Sequence, residues 1–132
     1  MNAALRKLVR RRAEARCECC RLPQSAQPFV TFHIEHIIAK QHGGSDDPEN
    51  LCVACQRCNF HKGPNLAGVH PVTGNVERLF DPRRQEWAEH FELRGPVVLG
   101  RTPGGRATVA VLAMNEEGRV ELRAALIALG EF

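Results

Sequence analysis

Two C-x-x-C pairs, Cys17/Cys20 and Cys55/Cys58, constrain this chain more than any other feature. Each pair offers two sulfurs on one turn, and together they supply the four thiolates of a tetrahedral zinc site. The pairs flank residues 21–54, so the metal would tie the base of an inserted subdomain rather than a short finger. Six cysteines could instead form disulfides in a secreted protein, but the paired spacing argues for zinc in a reducing compartment. Cys19 and Cys52 are left over and read as small buried residues. With Cys19 beside Cys20, the register of the first knuckle stays open.

A chain of 132 residues fits one domain, 1–132, with a modest apolar core that a structural metal would strengthen. No stretch approaches the length of a membrane span, and residues 1–16 lack the apolar run of a secretory signal. A cytoplasmic protein with no membrane partner is therefore expected. The net charge of +3 says little, but its distribution says more. Arg6, Lys7, Arg10, Arg11, Arg12 and Arg16 stand against a single acid, Glu14, in the first 16 residues. Arginine's planar fork suits phosphate, so Arg10, Arg11 and Arg12 are candidate nucleic-acid contacts; a solvated helix face is the alternative.

Residues 2–16 suit a helix with Leu5, Leu8, Val9 and Arg12 on one stripe. The β-prone run predicts a strand near 30–37, followed by a turn-rich loop at 41–50 and a short second strand at 50–54. The second knuckle opens a helix near 56–63, and 64–77 reads as loop. Asp81-Pro82 resembles an N-cap with proline at the first helical position, which predicts a helix near 82–90. Val97 to Leu99 and Ala107 to Leu112 are β-prone around Thr102-Pro103-Gly104-Gly105, which predicts a hairpin. A final helix over 116–129 would end at Gly130. No internal repeat is present.

Between the knuckles runs His33-Ile34-Glu35-His36-Ile37-Ile38, then His42-Gly43-Gly44, Asn50-Leu51 and finally Cys58-Asn59-Phe60-His61-Lys62-Gly63. In this order the pieces resemble the HNH endonucleases, the zinc-bearing branch of the ββα-metal nucleases. The resemblance implies an α+β fold, with a ββα-metal core at 17–63 tied by the tetra-cysteine zinc site, an N-terminal helix and a C-terminal hairpin-plus-helix extension at 78–132. It implies phosphodiester hydrolysis, with DNA as partner and with a divalent metal, Mg²⁺ or another such as Mn²⁺ or Ni²⁺, beside the structural Zn²⁺. By that resemblance His36 is the general base, Glu35 and the side-chain oxygen of Asn59 hold the catalytic metal, and Asn50 pins the loop that orients His36. The chemistry suits the residue types: a neutral imidazole takes a proton near pH 7, and hard oxygen ligands suit a hard cation. His61 is a further candidate ligand, Lys62 a candidate phosphate contact, and His42 either a loop residue or a phosphate contact. Pieces of the tail, including Leu79-Phe80-Asp81-Pro82-Arg83 and Trp87-Ala88-Glu89-His90-Phe91, resemble an extension of compact bacterial HNH proteins.

The family more often has Asp where Glu35 stands. Neighbours on a regular strand also point to opposite faces, so Glu35 and His36 share one site only if the strand twists or ends there. Otherwise His33 and Glu35 share a face. Two other functions compete: a non-catalytic zinc-knuckle module that binds nucleic acid, and a zinc-tied structural protein. Oligomeric state and sequence preference are not encoded in these motifs.

Overall fold

The computed structural model describes residues 1–132. Helix α1 (Ala3–Arg12) starts where the Asn2 side chain accepts the Leu5 amide. It ends sooner than its composition predicts. Glu14 and Ala15 take positive φ values of 54° and 58°, which turns the chain into the first knuckle. Only Val9 of the expected stripe is fully buried, and Leu8 is exposed.

The expected ββα unit follows. Strand β1 (His33–His36) pairs antiparallel with β2 (Leu51–Ala54), with Glu35 opposite Cys52 and His36 opposite Leu51. Every residue of β2 is buried. Helix α2 (Gln56–Lys62) starts at Cys55, whose sulfur accepts the Cys58 amide. The connection from β1 to β2 is a loop with two short 3-10 turns, Lys40–His42 and Pro48–Asn50.

Beyond residue 63 the sequence-based expectations need correction. Residues 64–77 are not wholly loop: β3 (Ala67–Val69) pairs with β4 (Val76–Arg78) in a small hairpin. The helix expected near 82–90 shrinks to α3 (Trp87–His90). The Asp81 carboxylate accepts the Arg83 and Arg84 amides, which closes a local turn in place of a long helix. The expected pairing of 97–99 with 107–112 does not form. Strand β6 (Val97–Gly100) pairs back with β5 (Phe91–Arg94) across Gly95-Pro96. Residues Pro103–Val111 form helix α4 instead. Thr102 caps it by accepting the Gly105 amide, with Pro103 at the first helical position, and these signals outweigh the β-branched residues that follow. A Cβ at Gly105 would collide with the His90 carbonyl oxygen, so the glycine permits this close packing. Helix α5 (Glu117–Ala128) ends before Gly130, which has φ 71°, as expected.

One apolar cluster joins Val9 of α1, the knuckle cysteines, Phe32, Leu51 and Val53 to Phe80, Phe91, Val98, Leu112 and Met114 of the extension. The tail therefore packs on the ββα core through the same apolar interior. Polar ties reinforce it: Trp87 Nε1 donates to the Cys19 carbonyl at 2.8 Å, and Arg83 pairs with buried Glu18. No helix is long and apolar enough to cross a membrane.

Candidate metal centre and active site

The four cysteines singled out by spacing converge. The sulfurs of Cys17, Cys20, Cys55 and Cys58 all lie within 4.8 Å of one another, and all four residues are buried. This settles the register of the first knuckle, because Cys19 lies outside the group. In each knuckle the fourth residue's amide faces the first residue's sulfur, Cys20 to Cys17 at 3.4 Å and Cys58 to Cys55 at 3.5 Å. Burial pushes the Cys17 thiol well above its ordinary value, and neighbouring sulfurs do the same for Cys55 and Cys58, whereas hydrogen bonds from those neighbours push Cys20 well below. Four such groups packed in apolar surroundings could all ionise only around a cation, so the cluster is a candidate metal site. Arg119 of α5 lies against it, with Nη2 3.0 Å from the Cys58 sulfur and 4.0 Å from that of Cys55. Sequence inspection missed Arg119, since no spacing rule links it to the knuckles.

Asn50 closes the loop between the strands. Its Oδ1 accepts the Ile38 amide at 2.8 Å, and its Nδ2 donates to the Ile38 carbonyl at 3.0 Å and the Ser45 carbonyl at 2.8 Å. Only an amide satisfies donors and acceptors together in this way. A Cβ at Gly44 would overlap the Ile38 carbonyl oxygen, so the loop can fold onto Ile38 only with glycine there.

β1 ends at His36, with Glu35 buried and His36, its last residue, partly exposed, while His33 at the strand start is exposed. Glu35 Oε2 receives the Cys52 thiol at 3.7 Å, and its Oε1 lies 3.9 Å from Lys62 Nζ. Burial pushes the Glu35 carboxyl up to about 7, against the pull of Lys62 and the Cys52 hydrogen bond. Glu35 Oε1 is buried and accepts no hydrogen bond. His36 Nε2 instead lies 2.7 Å from Asp46 Oδ1. The hydrogen bond from His36, aided by Lys40, holds the Asp46 carboxyl below the usual Asp range. Asp46 was not a sequence candidate, because one acid in a turn-rich loop carries no spacing signal.

Asn59 is partly buried on α2. It shares a stripe with Cys55, Cys58 and Lys62, since residues three and four apart share a helix face. No hydrogen bond or ion pair joins His36, Glu35 and Asn59 to one another. His61 projects roughly 160° around the helix from Asn59 at 3.6 residues per turn, and its Nε2 lies 3.9 Å from Glu116 of the extension. The structure therefore does not bring His61 to Glu35 as a ligand. His33 and His42 are exposed, while His70 is buried and accepts the Val72 and Thr73 amides.

Two proposed phosphate contacts are corrected. Lys62 is buried, its ammonium bonded to the Ile37 carbonyl at 3.1 Å and beside Glu35, so it cannot meet a phosphate. Arg12 donates to the Pro48 and Leu51 carbonyls and braces the loop and β2 from beneath. Arg10 is exposed but gives Nη1 to the Phe32 carbonyl at 2.9 Å. Arg11 is exposed and has no protein partner.

Residues 17–65 match the family model of the HNH endonucleases. The match spans both knuckles, the β1 to β2 loop and α2, so the resemblance read from the motifs holds over that stretch. The architecture, helices with small antiparallel strands and four clustered cysteines, is consistent with the ββα-metal fold. No curated protein and no solved structure matches the chain.

Proposed function

We propose that this chain is a metal-dependent endonuclease that hydrolyses phosphodiester bonds of DNA. The observation that carries the reading is the Asn50 clamp: one side chain bonds Ile38 and Ser45 and shapes the loop beside Glu35-His36, within the stretch that matches the endonuclease family. The metal of the cysteine site is zinc in this reading. Thiolates about 2.3 Å from a tetrahedral zinc lie about 3.8 Å apart, and the Cys20 and Cys55 sulfurs are 3.7 Å apart. That zinc is structural, because all four positions are filled by sulfur.

A second, divalent cation fits Glu35 and Asn59. Both offer hard oxygen, and Glu35 Oε1, buried and accepting no hydrogen bond with only the Lys62 ammonium 3.9 Å away, is an acceptor that a cation would satisfy. When bound, such a cation neutralises charge on the phosphate and on the departing oxygen. His36 accepts a proton from water. The water oxygen bonds to phosphorus, one P–O bond to sugar breaks, and the departing oxygen is protonated by solvent. Arg11, with Arg6 and Lys7 on the same helix, offers free cationic side chains to the DNA backbone. A reducing, cytoplasmic setting belongs to the proposal, since zinc requires the thiols unoxidised.

One observation favours a non-catalytic zinc module that binds nucleic acid: Lys62 already sits beside Glu35, where a cation would be needed. Incubation of supercoiled plasmid with the purified protein and Mg²⁺, Mn²⁺ or Ni²⁺ separates the two. Nicked or linear product that chelator suppresses supports the nuclease. A mobility shift without cleavage under every metal supports the module.

A further inference from the structure

We propose that Asp46 is a positioning residue for His36, accepting its Nε2–H and so fixing the tautomer whose Nδ1 lone pair is free to take a proton. The inference rests on the reading of His36 as general base. Its foundation is the 2.7 Å contact between Asp46 Oδ1 and His36 Nε2. An ionised carboxylate only accepts, so the shared proton belongs to the imidazole and the other ring nitrogen is left bare.

The loop is built to hold Asp46 in that place. On one side, Ser45 is fixed by its carbonyl to Asn50, and Gly44 is seated on Ile38 with its amide bonded to the Ala39 carbonyl at 3.1 Å. On the other side, the Asp47 side chain caps the following turn by accepting the Glu49 amide at 2.9 Å. Asp46 thus lies between two anchored neighbours. Two further nitrogens approach its carboxylate, Lys40 Nζ at 3.6 Å from Oδ1 and the Met1 backbone nitrogen at 3.6 Å from Oδ2. Neither stands between Asp46 and the imidazole bond.

The arrangement gives Asn50 a second consequence. The clamp does more than shape the loop, because it sets the carboxylate that sets the histidine. In the reaction the proton from water goes to Nδ1, and the Nε2–H stays on His36. Asp46 stabilises the imidazolium formed and does not itself take the proton, the division of labour that a carboxylate behind a catalytic histidine provides elsewhere.

The test uses the zinc-loaded full chain and two readouts. Long-range ¹H–¹⁵N correlation spectra in alkaline buffer, assigned by loss of the signal in His36→Ala, report the His36 tautomer. The Nε2–H form is expected in the wild type and a mixture in Asp46→Ala and Asp46→Asn, with Asp46→Glu restoring part of the preference. Plasmid cleavage in Mg²⁺ should show kcat lowered about 10- to 100-fold in Asp46→Ala, less than the roughly 10²- to 10⁴-fold worth of a general base. KM should be unchanged, and Asp46→Ala should cost nothing further in a His36→Ala background. An unchanged tautomer in Asp46→Ala, or an equal loss of kcat with and without His36, overturns the proposal. A wild type that cuts nothing overturns the nuclease reading, and the tautomer then decides the contact alone.

Discussion

Arg119 of the last helix reaches the four-cysteine cluster of the knuckles, its Nη2 3.0 Å from the sulfur of Cys58. The same guanidinium, through Nη1, holds the Leu112 and Ala113 carbonyls at 2.5 and 3.2 Å. A residue of the tail is thereby a partner of the site, and its charge would offset that of four thiolates on one divalent cation. Outer partners of metal ligands are commonly worth about 10- to 100-fold in metal affinity. Arg119→Met is expected to release zinc more readily by about that factor in chelator competition, with the metal content as purified still near one per chain. Cys55→Ser should instead lose the metal and the fold together, because binding of a structural metal is folding free energy.

Lys62 and Glu35 form a buried pair, so removing one partner leaves an uncompensated group. Lys62→Met is expected to destabilise by about 3–5 kcal/mol in urea unfolding. A loss of DNA affinity at unchanged stability would instead return Lys62 to the surface role that sequence suggested.

The same pair sets a pH dependence. Burial raises Glu35 to about 7 from an ordinary 4.5, so the folded state binds its proton more tightly than the unfolded state does. The stability this contributes is fully present below about pH 4.5 and is lost as pH rises to about 7. In Mg²⁺-free buffer, the stability of Glu35→Gln should therefore rise relative to the wild type as pH goes from about 4.5 to about 7, and level off above that. Parallel urea curves with equal pH slopes would contradict it.

The arginines of α1 should divide by position. Arg12→Ala is expected to lower the melting temperature, since its guanidinium braces the Pro48 and Leu51 carbonyls. Arg11→Ala should leave melting unchanged and weaken DNA binding alike across sequences, with a shallower salt dependence. Melting curves and binding titrations at several salt concentrations check both halves.

The contrast between Arg11 and Arg12 shows where sequence was legible. Cysteine spacing located the four-cysteine cluster, and Glu35-His36 with Asn50 located the ββα unit, because these patterns are local and chemically specific. The roles of Arg12 and Lys62 were not legible, because composition marks a side chain as cationic without showing which carbonyl it meets. Asp46 and Arg119 act through contacts formed by a folded loop and a distant helix, and no periodicity reports them. In the tail, Thr102 and Pro103 signalled a helix start that the β-branched residues after them obscured. Gly95-Pro96 is itself a turn signal, and with Gly95 at φ 56° it pairs 91–94 with 97–100, a closer partner than the β-prone run at 107–112.

The most direct test of the nuclease reading is cleavage by His36→Ala beside wild type and Asn59→Ala, each zinc-loaded, over a titration of Mg²⁺. A metal-dependent wild-type cut is expected. His36→Ala should lose about 10²- to 10⁴-fold in rate that excess Mg²⁺ does not restore, with zinc and DNA binding intact. Asn59→Ala should recover part of its rate as Mg²⁺ rises. Normal cutting by His36→Ala, together with loss of cutting by His33→Ala, would contradict this and assign the base to the other histidine of β1.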